Sequence, residues 1–159
     1  MAYEGPAPAL VASLKDGRRR GLAESLADVM AAELPVPAER APLVPVPLAP
    51  RRERDRGFNQ SLLLARALGR RWGVTVVDAL VRVRDGPPQR GASATDRARQ
   101  VAGAFAAGPT GVVPRRAVLV DDVHTTGATL AACARALRRA GAREVGAVAF
   151  ARALAGGPG

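Results

Sequence analysis

Val118-Leu119-Val120-Asp121-Asp122-Val123-His124-Thr125-Thr126-Gly127-Ala128-Thr129 sets an apolar run, two carboxylates, a turn of hydroxyls and glycine, and a helix start in direct succession. Ala117 to Val120 has the unbroken apolar character of a strand buried on both faces, as parallel strands are. Ala128 to Ala140 is strongly helical, Gly141 suits the left-handed position past its end, and Val145 to Phe150 supplies a further strand. Strand, turn, helix, strand is a βαβ unit, so the sheet is at least partly parallel and the fold class is α/β.

In an open parallel sheet, ligands bind at the edge where the strands end, and the acidic pair stands at that edge. Backbone N–H groups of the turn and of the first helical residues point outward, and the helix dipole adds partial positive charge. Thr125, Thr126, Gly127, Ala128 and Thr129 therefore form a phosphate cradle. Gly127 allows close approach of an oxyanion, and the threonine hydroxyls add donors. Asp121 and Asp122 repel phosphate but accept hydrogen bonds from vicinal hydroxyls. A phosphate on one side and a diol on the other describe ribose 5-phosphate. No Gly-x-x-x-x-Gly-Lys-Ser/Thr is present and no Gly-x-Gly-x-x-Gly opens a helix, which disfavours a P-loop or a dinucleotide site. We place His124 within the phosphate loop with an exposed side chain. Cys133, among alanines on the helix, reads as a small buried thiol.

Outward from this segment, the spacing of Leu22, Leu26, Val29 and Met30 predicts a helix, preceded by another carrying Leu10, Val11 and Leu14 across a basic turn at Gly17–Gly21. Leu43 to Pro47 reads as a short strand with prolines that forbid full pairing. Arg51 to Gly57 reads as a charged connector. Asn59 is a candidate N-cap for a helix through Trp72 that Gly73 ends. Val74–Val77 and Leu80–Arg84 read as strands, and 85–93 as turn-rich, followed by a short helical pattern from Thr95 to about Val101. We expect one domain over 1–152 and a flexible tail over 153–159.

The length of 159 residues suits one such domain, and 48% hydrophobic residues give enough material to bury roughly two-thirds of the unfolded surface. Aromatics are only 3%, so the core must be built from Ala, Val and Leu. The formal charge of +10 favours anionic partners, although all basic residues but Lys15 are arginine, which points to compositional bias. One cysteine and one histidine exclude an intrachain disulfide framework and a Cys/His zinc cluster. With neither a basic leader nor an apolar run of membrane length, the expectation is a cytoplasmic protein with no membrane span.

The acidic pair and the Thr-Gly-x-Thr turn resemble the PRPP-binding motif of type I phosphoribosyltransferases. In order along the chain, Val44-Pro45-Val46-Pro47-Leu48, Arg56-Gly57-Phe58-Asn59-Gln60, Gln89, Arg97 and Gly103-Ala104-Phe105 resemble the landmarks of the ComF/GntX family, phosphoribosyltransferase-like proteins linked to DNA uptake in competence. The resemblance runs from about Tyr3 to Arg152 and includes Lys15. Members often begin with a Cys-rich zinc ribbon, which this sequence does not show, and Gln100 stands where they usually carry Asn.

The resemblance implies a type I fold, a mostly parallel central sheet flanked by helices. It also implies PRPP as substrate with Mg2+, displacement of pyrophosphate by a nitrogen nucleophile, and no protein-held metal site. Asp121 and Asp122 would then be the catalytic pair holding the ribose, with residues 125–129 on the 5-phosphate. Arg51, Arg52, Arg54 and Arg56 would bind pyrophosphate, and a mobile loop within 84–99 would carry Gln89, Arg90 and Arg97. The alternative is a non-catalytic PRPP-binding or DNA-uptake accessory. Single-stranded DNA, the uptake machinery and a second copy of the chain are the partners it leaves open.

Overall fold

Alternation along two short strands decides how the layers form. The computed structural model describes residues 21–84, 101, 103–124 and 127–152. The expected first helix, the excursion with Gln89, Arg90 and Arg97, the tail, Thr125 and Thr126 lie outside the described residues. Strand β1 (Leu43–Pro45) is fully buried and pairs in parallel with β4 (Arg116–His124), Leu43 opposite Val118. On its other side β4 pairs in parallel with β5 (Glu144–Arg152), which gives the order β1-β4-β5. Successive side chains of a strand leave opposite faces. Leu43 and Val120 accordingly enter one core cluster, and Val44 and Leu119 the other.

Helix α1 (Leu22–Glu33) and helix α3 (Gln60–Trp72) cover the first face. The buried stripe of α1 is Ala23, Leu26, Ala27 and Met30, whereas Val29, expected on it, is 46% exposed. Two alanines in the stripe let α1 lie close on Ala65, Ala67 and Leu68 of α3, and this rotates Val29 outward. The other face is covered by α4 (Ala128–Arg139) and a ribbon of two antiparallel strands, β2 (Leu80–Arg82) and β3 (Phe105–Ala107). Between helices on both faces lies a parallel sheet, an α/β fold of the type I phosphoribosyltransferase kind. Among the described residues no helix is long and apolar enough to cross a membrane.

Three local expectations are corrected. Arg51 to Arg56 is not a connector but part of helix α2 (Pro50–Arg56), with Pro50 at its first turn and Gly57 in the left-handed region (φ 76°) closing it. Val74–Val77 does not form a strand. It makes one parallel bridge, in which Leu43 N–H donates to Thr75 O and Val77 N–H to Leu43 O, each at 2.9 Å. The next donor along that edge of β1 would be residue 45, a proline with no N–H, so the ladder stops. Finally, β4 does not end at the acidic pair. Its pairing with β5 continues to His124, opposite Arg152, so His124 belongs to the strand and not to the loop.

Candidate functional site

Both β1 and β4 deliver their C-terminal ends to one edge, and α3, running back across the first face, begins there. Its N-terminus is fixed locally. Asn59 Oδ1 accepts from the N–H groups of Ser61 (3.0 Å) and Leu62 (3.4 Å), while Asn59 Nδ2 donates to Val46 O (3.0 Å) on the loop after β1. The cap therefore also ties the helix to the sheet edge. From the first turn of α3, Ser61 Oγ donates to Asp121 Oδ1 at 3.0 Å, and the same oxygen accepts from Asp122 N–H at 3.0 Å.

Asp121 is buried at 8% exposure, whereas Asp122 is half-buried. Burial, and secondarily the negative charge of Asp122, push the Asp121 carboxyl up to about 7, against the opposing donation from Ser61. The pair thus combines an accessible carboxylate with one that titrates near neutrality. Both carboxyls can accept hydrogen bonds at this edge.

After the strand, Gly127 adopts φ 73° as the N-cap of α4 and gives that helix no side-chain cap of its own. Its first turn holds Ala128 and the half-buried Thr129. A left-handed glycine before a helix start is the geometry that admits an anion to backbone amides. On the second face, Cys133 is fully buried. Its thiol is pushed up to about 12, first by burial and then by the charge of Asp121, with Arg82 acting the other way. It is inert core, as its alanine-rich context predicts.

The four arginines expected at pyrophosphate are spread around a helix instead of lying along a loop. Arg51, Arg52 and Arg54 are exposed and Arg56 is half-buried. A cavity of about 160 Å³ opens between Pro47 and Leu48 after β1, Pro50 and Glu53 of α2, Asn59 and Leu62 of α3, and Asp78 with Leu80, Val81 and Arg82. None of the four arginines lines it. Arg82, whose guanidinium lies 5.4 Å from the Phe105 ring centre, does.

Sequence reasoning missed Ser61. It also missed the burial of Gln60, which is 3% exposed with Nε2 lacking a hydrogen-bond partner among the described residues. The signal was available: a helix returning from β1 must start at the edge where β4 delivers its carboxylates, so the polar residues of its first turn face them.

The phosphoribosyl transferase domain family matches residues 59–158. Competence protein F of Haemophilus influenzae is 40% identical over 114 residues, which cover 70% of this chain and 50% of that protein. DNA utilization protein YhgH of Escherichia coli K12 is 37% identical over 154 residues, 90% of this chain and 66% of its own. The chain spans half to about two-thirds of these relatives' length. A solved structure of the allosteric regulatory enzyme of purine biosynthesis is similar at TM-score 0.49 and 26% identity, over 80% of this chain and 25% of that one. The chain belongs to the phosphoribosyl transferase domain family, as a ComF-like member of its type I branch.

Proposed function

We propose that the protein binds PRPP at the C-terminal edge of β4 and transfers ribose 5-phosphate to a nitrogen nucleophile. The C1–O bond to pyrophosphate breaks, the C1–N bond forms, and the nucleophile's proton passes to solvent. The carrying observation is the buried Asp121, held by Ser61 beside the more open Asp122, shortly before a glycine-led helix start. Asp121 and Asp122 accept from the ribose hydroxyls, and Thr125, Thr126, Gly127, Ala128 and Thr129 receive the 5-phosphate. Negative charge grows on the departing pyrophosphate, and Arg51, Arg52, Arg54 and Arg56 are the group that would meet it, Arg56 alone of the four being half-buried.

Among the described residues no three His, Cys, Asp or Glu side chains converge as a cation cage. The donor set fits Mg2+ carried on PRPP's own oxygens and water, where it neutralises pyrophosphate charge. The residues' part is to orient the ribose and exclude water from C1.

The names of the relatives favour one second reading, a PRPP-binding accessory of DNA uptake without turnover. Calorimetry with PRPP, with and without magnesium, tests the binding that both readings share. We expect saturable, magnesium-dependent binding that Asp121→Asn with Asp122→Asn abolishes. Binding by that double variant equal to wild type would remove the site. Pyrophosphate release across a panel of bases and amines separates enzyme from accessory.

A further inference from the structure

The opposite edge of the sheet, where the strands begin, holds a second concavity. It measures about 350 Å³ and is lined by Glu39, Arg115, Arg116, Arg143 and Glu144. The backbone builds it. Arg115 O, just before β4, accepts from the N–H groups of Arg143 (2.7 Å) and Glu144 (3.1 Å) at the entry to β5. Lacing the two strand entries brings their arginines to one rim.

Charge around this cavity is unevenly satisfied. The half-buried Arg116 takes both carboxylates, pairing with Glu39 and, at 2.9 Å, with Glu144. Arg115 and Arg143 are left exposed on the same rim with no carboxylate partner among the described residues. Two guanidiniums offer ten N–H donors between them around a hollow of small-molecule size. Glu39 on the wall is held at φ 51° and Arg40 next to it at φ 52°, consecutive left-handed residues that are not glycine. Such strain persists only where the surroundings impose it, and it concentrates at binding sites. Arg40 in turn donates from Nη1 to the carbonyls of Trp72 (3.3 Å) and Gly73 (3.1 Å), joining this wall to the end of α3.

We propose that this cavity binds a compact phosphate-bearing anion, with Arg115 and Arg143 as its bidentate ligands and the Arg116–Glu39–Glu144 cluster as its floor. The site is independent of the PRPP reading and lies at the other end of the strands from the acidic pair. A compact anion is taken over a continuous polyanion because, of the five residues lining the cavity, only Arg115 and Arg143 present guanidiniums not already paired with a carboxylate among the described residues.

Trp72, the sole tryptophan, sits where Arg40 grips α3 and serves as an optical reporter. The full chain is titrated with inorganic tripolyphosphate without magnesium, followed by Trp72 fluorescence and by calorimetry. Saturable binding is expected. Arg115→Ala with Arg143→Ala should raise the midpoint about tenfold or more, as loss of charge-assisted hydrogen bonds does, and Arg115→Lys with Arg143→Lys by less. Asp121→Asn with Asp122→Asn should leave it unchanged. The proposal is overturned by no saturable heat, by an unshifted midpoint in a folded double-alanine variant, or by loss of binding in the aspartate variant. Binding of a twelve-residue oligothymidylate more tightly than tripolyphosphate would overturn it equally.

Discussion

Asp121 weakens the fold that contains it. Its carboxyl holds a proton more tightly folded, at about 7, than unfolded, near 3.8, so the folded state binds more protons between these values and stability falls as pH rises through them. Below about pH 3 both states are protonated and the penalty is absent. Above about 7 it is complete, at most about 4 kcal/mol. Asparagine keeps an Oδ1 to accept from Ser61 Oγ and Asp122 N–H but carries no charge. Asp121→Asn should therefore raise the melting temperature at pH 8, and the gain should vanish at about pH 3. A variant no more stable than wild type at pH 8 would show that Asp121 is not a charge held against its environment. The acidic pair was legible in sequence because strand, carboxylates and glycine turn are contiguous. Ser61 was legible only through the topology, since its partner lies 60 residues away and the packing of α3 brings them together.

Helix α3 was readable nearly to the residue, because Asn59 and Gly73 are local signals that act within one turn. Helix α2 was misread although it carries Pro50 and Gly57 at the right places, since a run of seven residues with four arginines is too short and too polar to show a period. For Val74–Val77 the apolar, β-branched pattern is genuine, and a proline in the neighbouring strand decides its extent. Gly69 shows the same dependence on a returning chain. In mid-helix, glycine is normally worse than alanine by about 1 kcal/mol. Here a Cβ would stand 2.9 Å from Val74 O and 3.0 Å from Val76 Cγ2. Gly69→Ala should thus destabilise by roughly 1–3 kcal/mol, read as a lower urea midpoint at unchanged slope. A raised midpoint would mean that the 74–76 segment gives way freely.

At the scale of the molecule, the β4-α4-β5 unit announced a parallel sheet, and the apolar runs announced two covered faces. How α1 seats on α3 was not legible, because its apolar stripe meets Ala65, Ala67 and Leu68 some forty residues on, with Arg71 pairing with Glu24 and Asp28 at the margin. These links bear on which portion can stand alone. The span shared with the phosphoribosyl transferase domain family opens at residue 59, after β1 has been laid down. A fragment comprising 59–159 should show no cooperative thermal transition, whereas the full chain should; a sharp calorimetric peak from the fragment would contradict this. Trimming the protein to the span matched by the domain family would strip β4 of one of its two neighbours and bare the buried side of α3. The remnant would keep Asp121, Asp122 and residues 125–129 while losing the arginines of α2 and the masonry behind the acidic pair, and would precipitate before it could be assayed.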